Sequence, residues 1–196
     1  MKSTRAYVMR ARAESAAATR QRILDAAVAE VWCRRVSDVR LDDIAARSEV
    51  TVQTILRVFG TRARLIDEAC EVNGHRIREQ RSAAAPGDIP GTVRALFDHY
   101  EEMGDFVIRN LAQEDELPEL KEWLAHGRKA HRQSMQRQFA PWLEALDSPD
   151  RRATLDCLIC ACDVYTWKLL RRDMQRSRSD AEARVRQMVS GTLGGS

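Results

Sequence analysis

The side chains best suited to bind a ligand by specific chemistry cluster between residues 51 and 57. Gln53 can form two hydrogen bonds with an adenine edge, and Arg57 can do so with a guanine edge or bind a phosphate. Val52 can contact the methyl group of thymine. Taken singly, Gln53 and Arg57 are ordinary exposed polar residues, but their shared position on one short predicted helix favours contacts with DNA. The predicted DNA-binding residues are Arg40, Thr51, Val52, Gln53, Thr54, Arg57 and Arg62.

Two short helices joined by a tight turn must position these side chains, and the spacing of apolar residues predicts both. Leu41, Ile44 and Ala45 fall on one face of a first short helix. A turn at 48–50 follows, and Thr51 is then placed to cap the second helix and to offer its hydroxyl or amide to a phosphate. Such a pair presents its second helix to the DNA major groove.

Two arginines flank this predicted helix pair. Arg40 stands at the start of the first helix and is a candidate for a base or phosphate contact. Arg62 stands at the start of the following helix, where a phosphate would meet both its charge and the N-terminal amides. Between them, Ile55, Val58 and Phe59 are predicted to pack the core of this region.

The order, spacing and types of residues over three predicted helices form a recognisable set: Thr19, Arg20, Ile23, Leu24, Ala26, Ala27, Ile44, Ala45, Val50, Thr54, Phe59, Gly60 and Leu65. In these residues, and without a gap, the stretch 19–65 resembles the N-terminal domain of the tetracycline-repressor (TetR) family of bacterial transcriptional regulators. That family usually has glycine at the positions of Arg35 and Glu49, an aromatic residue at Leu56 and lysine at Arg62. Glycine tolerates a positive φ more readily than the residues found here.

The resemblance implies an all-α chain of about nine helices in three parts. Residues 1–18 would be a basic N-terminal arm, or equally a tail without a role. Residues 19–64 would be a three-helix helix-turn-helix DNA-binding head, and residues 65–196 a helical effector-binding and dimerisation domain. The last two helices would pair with their twofold mates in a four-helix bundle. Two recognition helices would then read a palindromic operator about one DNA turn apart.

The same resemblance implies a mechanism of regulation. A ligand-free dimer would hold its two heads at a spacing that fits the operator, which makes the protein a repressor in this interpretation. A small lipophilic effector would move the fourth helix and swing the heads out of register.

Composition and charge agree with a basic head on a helical body. Hydrophobic residues make up 44% of the chain, and only five prolines interrupt its helical patterns. The first 62 residues carry twelve Lys and Arg against seven Asp and Glu, net +5, which leaves −2 for the remainder. A basic head attracts DNA phosphates and releases counterions, although a chance asymmetry of a solvated surface would look the same.

Nothing in the sequence predicts export or membrane insertion. No segment approaches the roughly 18 apolar residues of a membrane span, and the N-terminus lacks the apolar core of a secretory signal. Five cysteines, an odd number, are then typical of reduced cytosolic thiols, so we expect a cytoplasmic location.

Beyond residue 65 the apolar spacing predicts further helices but no motif. A loop over 82–91 separates the fourth helix from one that begins near Thr92. Pro118 suits the first turn of the next helix, and a long helix is predicted over Asp150–Arg172. A capping box at Ser179–Glu182 is predicted to open the last helix.

The segment Leu155–Leu170 is apolar nearly all round and must therefore be covered on several sides. A partner subunit would cover one of them, which favours a homodimer over a monomer in which this helix is simply central. Asp163 lies within the segment, and a carboxylate buried there needs a partner or stays protonated. It could anchor a polar group of a ligand or form an ion pair across the dimer.

Aromatic and sulfur-containing side chains in the middle helices could line a cavity for a lipophilic, ring-bearing effector. Residues of these types at helical spacing more often form a core, and each one taken singly is better explained by packing. The predicted effector-binding residues are Phe97, Tyr100, Met103, Trp123, His131, Met135, Trp142, Asp163, Tyr165 and Trp167.

Other classes of function find less support in the sequence. Cys157 and Cys160 are one helical turn apart, so a thiol- or metal-responsive regulator of the same fold is an alternative, although cysteines of this kind also behave as small hydrophobes. A non-specific DNA-binding helical adaptor would share the basic head but would not need the aromatic-rich second domain. We expect no enzyme, cofactor or metal site, because no G-x-S-x-G, Walker or H-E-x-x-H motif occurs.

Overall fold

The structure is a computed structural model that describes the backbone of residues 2–81, 84–116 and 118–194 and the side chains of 9, 11–72, 84–116 and 120–194. Every regular element in these residues is helical, which confirms the predicted all-α class. None of these helices combines the length and the apolar character needed to cross a membrane. The chain divides into two compact units, Met1–Asn73 and Gly74–Ser196.

The first unit holds four helices and one short turn of 3₁₀ helix. They are α1 (Lys2–Cys33), the 3₁₀ turn Val36–Asp38, α2 (Leu41–Ser48), α3 (Val52–Phe59) and α4 (Arg62–Arg81), which begins in this unit. The backbone of the predicted N-terminal arm is helical from Lys2 onward and continuous with α1. The side chains of residues 11–18 in this stretch are exposed.

Apolar residues at helical spacing build the core of the first unit. Each of its helices contributes residues with less than a tenth of their surface exposed, and burying one large aliphatic or aromatic side chain contributes roughly 1.5–3 kcal/mol. Because the three- and four-residue spacing puts these residues on one face, α2 and α3 must bury that face and leave the other outside. The buried side chains include Ile23, Ala27, Val31, Val36, Val39, Ile44, Ile55, Phe59, Leu65, Ile66 and Ala69.

The helices of the second unit are more varied in length. They are α5 (Ile89–Leu111), α6 (Pro118–Gln138), α7 (Ala140–Leu143), α8 (Ser148–Ala161), α9 (Val164–Lys168), which runs into the π-helical turn Leu169–Asp173, and α10 (Arg178–Gly194). Aspartate side chains cap α5 and α8, since Asp88 accepts from the Gly91 amide at 2.9 Å and Asp147 accepts from the Asp150 amide at 3.0 Å. The cap at Asp88 explains why α5 begins three residues before the predicted start.

The prediction of one long helix over Asp150–Arg172 is wrong, because the helix is interrupted at Cys162 and Asp163. Asp163 has an extended backbone and caps α9, its carboxylate accepting from the Tyr165 amide at 2.9 Å. The Thr166 hydroxyl donates to the Cys160 carbonyl at 2.6 Å and so satisfies the end of α8. Asp163 is therefore a half-buried N-cap and not a charge inside a continuous apolar helix.

The predicted capping box at Ser179–Glu182 is also wrong by two residues. The cap of α10 is Ser177, whose hydroxyl oxygen accepts from the Asp180 amide at 3.1 Å. The same hydroxyl lies 2.7 Å from the Asp180 carboxylate and donates to it. A serine at 177 and an acidic residue at 180 reproduce the spacing of a capping box, which explains the misassignment.

Aromatic residues from α5, from α9 and from the turn before α7 form the centre of the second unit. Phe97, Tyr100, Phe139 and Trp167 are almost fully buried in one apolar cluster with Met135. The Tyr100 hydroxyl donates to the Cys162 carbonyl at 3.0 Å, exactly where the helix breaks. Trp167 lies so close to α5 that a Cβ added at Gly104 would lie 2.3 Å from its ring. Only glycine permits this approach.

Candidate nucleic-acid interface

The turn between α2 and α3 has the conformation that glycine favours, although the residue is glutamate. Glu49 has φ 55° and ψ 43°, the left-handed region. The Val50 amide donates to the Ala45 carbonyl at 3.1 Å, and the buried Ser48 hydroxyl donates to Ile44 at 2.6 Å. These bonds hold Glu49 in its left-handed conformation at a cost of about 1 kcal/mol. Arg35, the other departure from glycine, has an ordinary φ of −63°.

Thr51 caps α3, as predicted from the sequence. Its hydroxyl oxygen accepts from the Thr54 amide at 3.2 Å, and the two threonine hydroxyl oxygens lie 3.0 Å apart. The helix ends at Gly60, whose φ of 82° is readily adopted only by glycine. The cap and the glycine define a helix of two turns.

The two faces of α3 differ sharply in burial. Ile55 and Phe59 have at most 1% of their surface exposed and anchor the helix in the core. On the other side, Gln53 and Arg57 are exposed, together with 40% of Leu56. The predicted base-reading residues therefore share an outward face. Thr51 is also exposed, whereas Val52 and Thr54 are half-buried.

Two exposed arginines of the helix pair are open to an external anion. Arg40, the N-cap residue of α2, and Arg57 are exposed, and neither forms an ion pair with a residue that the structure describes. By contrast, Arg34 and Arg47 both pair with the buried carboxylate of Glu30 at 3.0 Å. Unpaired arginines can form bidentate hydrogen bonds with phosphates or guanine without first losing a partner.

Arg62 is engaged inside the first unit. Its Nε donates to the Val39 carbonyl at 2.9 Å, and a terminal nitrogen donates to the Val36 carbonyl. The half-buried guanidinium thus ties the start of α4 to the 3₁₀ turn before α2. Its contact with phosphate, predicted from position, remains a prediction, but Arg62 also has a structural role that sequence position alone did not indicate.

A second arginine interaction was missed by the sequence reasoning. The guanidinium of Arg20 on α1 lies 4.8 Å from the centre of the Phe59 ring and pairs with Glu68 on α4. Arg64 also approaches Glu68, at 3.5 Å. A cation over an aromatic face is worth roughly 0.5–1 kcal/mol at exposed sites. These residues are up to 48 positions apart, so no local pattern reveals the contact.

The predicted effector-binding residues fall into two groups in the second unit. Phe97, Tyr100, Met135 and Trp167 meet in the apolar cluster, and Trp142 packs against it half-buried. The others are not members of that cluster: Met103 and His131 are buried, Trp123 and Asp163 are half-buried, and Tyr165 is 57% exposed. Packing accounts for the burial of the first group, and an effector-binding role for either group remains a prediction.

A row of ion pairs joins α5 to the elements that follow α9. Asp98 pairs with Arg178 at 2.6 Å, and Asp105 with Arg172 at 2.9 Å. Between them, Glu101 accepts from Arg171 at 2.5 and 3.0 Å. The three carboxylates recur at three- and four-residue spacing, so they lie on one face of α5.

Glu101 is the centre of this row. Besides Arg171, it accepts from the indole nitrogen of the buried Trp167 at 3.0 Å. Hydrogen bonds from Arg171 and then Trp167 lower the pKa of the Glu101 carboxyl, against the opposing effect of its partial burial. The guanidinium of Arg172 lies 4.4 Å from the Trp167 ring centre. Trp167 therefore has a carboxylate at its indole nitrogen and a guanidinium over its ring face.

The cysteines also divide by exposure. Cys70 and Cys162 are buried, and burial, helped by nearby Asp67, raises the pKa of the Cys70 thiol to about 12. Such a thiol is unreactive at neutral pH. Cys33, Cys157 and Cys160 carry exposed thiols. Within the described residues, no group of three or more Cys, His, Asp or Glu side chains is arranged to hold a metal ion.

Solved structures of transcriptional regulators share this fold. A regulator from Rhodococcus sp. RHA1 is 14% identical over 89% of this chain and 96% of its own, with a TM-score of 0.66. A protein from Mesorhizobium loti MAFF303099 assigned to the TetR family is 14% identical over 92% and 97%, with a TM-score of 0.61. A TetR regulator, also from Rhodococcus sp. RHA1, is 16% identical over 91% and 98%, with a TM-score of 0.51.

The similarity to these proteins lies in the fold. No family model matches the sequence, and no curated protein matches it. The three structures cover about nine-tenths of the chain, which extends the resemblance noted over residues 19–65 to both units. The chain thus has the all-α fold of TetR-type transcriptional regulators.

Proposed function

We propose that this protein is a DNA-binding transcriptional repressor that reads a palindromic operator as a homodimer and is released by a small lipophilic effector. The observation that carries the proposal is the outward face of α3, where Gln53 and Arg57 are exposed on a helix capped by Thr51. A short helix anchored on one face and polar on the other fits the major groove. The net charge of +5 in the first 62 residues supports a polyanionic partner.

On DNA, the roles of these residues follow from their chemistry. Gln53 would pair with adenine, Arg57 with guanine or a phosphate, and Val52 would contact a thymine methyl. Thr51 and Thr54, at the N-terminus of α3, would bind a phosphate through hydroxyl and amide groups. Arg40 would bind the backbone beside them, and Arg62 would contribute charge while holding the start of α4.

A homodimer through the last two helices finds support in where apolar side chains are exposed. Four of the large hydrophobic residues with at least 40% exposure follow the break at Cys162: Tyr165, Leu169, Met174 and Met188. Exposed apolar surface on terminal helices is typical of an interface. A twofold dimer would place two α3 helices on half-sites about one DNA turn apart.

The effector would bind in the second unit among the aromatic residues named above, and the sequence chemistry favours an aromatic or lipophilic molecule. Because a ligand can shift an equilibrium only by its difference in affinity for two states, it must bind better to the conformation that does not fit the operator. We propose α4 as the element that transmits the change. A thiol- or metal-responsive regulator of the same fold is the second candidate, favoured by the exposed thiols of Cys157 and Cys160.

Selection of bound sequences from random duplex DNA tests the proposal. We expect a palindrome with half-sites about one turn apart, and a single enriched motif whose affinity falls with salt. Weak binding with a steep salt dependence and no motif would instead indicate the non-specific adaptor.

The substitution Arg57→Ala tests the assignment of α3. Losing one bidentate base contact should cost about 1–3 kcal/mol, or roughly 5- to 150-fold in operator affinity. Arg94→Ala, which removes an exposed arginine from α5, is the matched control and should leave affinity unchanged. Equal affinities of wild type and Arg57→Ala for the selected operator would remove α3 from the reading of bases.

A further inference from the structure

Two thiols stand on the surface of α8, where cysteine is unusual. Cysteine is among the residue types most often buried, yet Cys157 and Cys160 are both exposed near the end of this helix. The neighbouring Cys162 is buried, and its carbonyl accepts from Tyr100. Packing within the chain therefore explains Cys162 but neither of the exposed pair.

The spacing of the pair suits a chelate. Residues three apart on a helix lie on the same face with Cβ atoms about 5–6 Å apart. A tetrahedral Zn²⁺ ion with Zn–S distances of about 2.3 Å needs sulfurs roughly 3.8 Å apart, which side-chain rotation can reach from that spacing. Ala153, one turn before Cys157 on the same exposed face, is too small to cover the thiols. Both sulfurs are therefore open to one ion.

A single chain, however, cannot complete such a site. No third ligand joins the pair within the described residues, and a structural Zn²⁺ ion takes four. α8 packs against α10, which exposes Met188 and, three residues on, Gly191. The apolar segment Leu155–Leu170, which contains both thiols, and the last helix are the parts of the chain that the proposed dimer places against a second copy. A second copy would bring an identical pair of thiols.

We propose that Cys157 and Cys160 from two copies of the chain bind one Zn²⁺ ion through four thiolates. The inference rests on the homodimer of the proposed function and adds a metal that links its subunits. Metal sites in helical bundles are built from residues at i and i+3 on facing helices, which is the pattern here. Soft thiolate ligands select Zn²⁺ over Mg²⁺ or Ca²⁺. Binding releases the thiol protons and involves no redox step.

The metal would strengthen dimerisation. Because the ion binds only when two copies meet, zinc at 100 times its dissociation constant would tighten the dimer about 100-fold by mass action. Removing zinc with a chelator would weaken the dimer and, with it, binding to the palindrome. Zinc and the proposed effector would then both change the same dimer, each by binding at its own site in the second unit.

Cobalt substitution of the full-length protein tests this. The reduced protein is titrated with Co²⁺ without oxygen, and absorption is followed in the ultraviolet, where thiolate-to-cobalt charge transfer occurs, and in the visible, where tetrahedral cobalt absorbs. We expect one Co²⁺ per two chains, four-thiolate intensity, and displacement by Zn²⁺. Cys157→Ser and Cys160→Ser should each abolish this spectrum. Cys33→Ser, which alters an exposed thiol in the first unit, is the matched control and should leave it unchanged.

Each outcome decides the proposal. One ion per two chains, lost in both variants, supports the shared site. One ion per chain, or no cobalt spectrum, overturns it. Circular dichroism of the variants, and of Cys157→Ala with Cys160→Ala, shows whether a loss comes from unfolding. Operator binding and solution mass are measured on the same samples. If the protein is dimeric and binds its operator but gives no cobalt spectrum, the zinc site alone is overturned. If the protein is monomeric and does not bind an operator, the proposed function is overturned.

Discussion

The charges of Arg40 and Arg57 in the first unit are partnered differently from those of the arginines beside α5 in the second unit. On the outer side of α2 and α3, Arg40 and Arg57 are exposed and form no ion pair with the described residues. In the second unit, Arg171, Arg172 and Arg178 are all committed to carboxylates on α5. Unpaired cations are available to an external anion, whereas paired ones hold helices together. The same residue type is thus open to an external anion at Arg40 and Arg57 and forms a structural joint beside α5.

The tight approach at Gly104 offers the strongest way to disturb the second unit alone. Gly104→Ala places a Cβ about where the Trp167 ring lies, and overpacking of this kind costs about 1–3 kcal/mol. We expect a lower Tm for the second unit, measured by calorimetry. Gly127→Ala, on α6 with open space around it, is the control and should gain up to about 1 kcal/mol from helix propensity. A Gly104→Ala protein as stable as wild type would contradict the packing at Trp167.

Removing one arginine from each of the two regions tests this difference directly. Arg171→Ala leaves Glu101 with the indole of Trp167 as its remaining partner in the row, and loss of hydrogen bonds to a charged group costs about 2 kcal/mol. We expect reduced stability with unchanged operator affinity per folded dimer. Arg57→Ala should show the reverse, namely reduced affinity with an unchanged Tm. If both variants lose affinity equally, the division between binding and structural arginines fails.

The pH dependence of stability reports the Glu101 cluster. Its folded-state pKa is lowered from the ordinary 4.5 by hydrogen bonds from Arg171 and Trp167. The stabilisation is therefore present above the unfolded-state pKa and is lost as the pH falls through the folded-state value. Urea unfolding of wild type should show this loss below about pH 4.5, the unfolded-state value for glutamate being near 4.3. Glu101→Gln should remove that part of the pH dependence. If the free energy of unfolding varied with pH in parallel for the two proteins, a contribution from Glu101 would be excluded.

The smallest effect we expect is at the turn of the helix pair. Glu49 has a left-handed conformation that costs an L-residue about 1 kcal/mol. Glu49→Gly should therefore raise the stability of the first unit by up to about 1 kcal/mol and leave the selected operator sequence unchanged. Ala46→Gly, an exposed position within α2, is the control and should destabilise by about as much. A destabilised Glu49→Gly protein would show that the glutamate side chain has a role of its own.

Local signals predicted the helix pair well. Thr51 was identified as a cap from its type and position, and the alternation of Ile55 and Phe59 with polar residues indicated which face of α3 is buried. Such features depend on neighbours within one turn, so a sequence pattern is sufficient to identify them. The end of α8 and the cap at Asp163 were not predicted, because the apolar residues on both sides of Asp163 also fit one continuous helix.

Helix periodicity and capping depend on neighbouring residues, so the all-α class, the capped helix pair and the polar composition of α3 could be predicted from the sequence alone. Which charged side chains have partners inside the protein depends on the tertiary structure. Arg62 bonds to carbonyls 23 and 26 residues away, and Arg171 to a carboxylate 70 residues away. It also decided that Arg57 stays exposed and Trp167 does not. A side chain's partners depend on which distant elements pack beside it, and spacing along the chain carries no record of that.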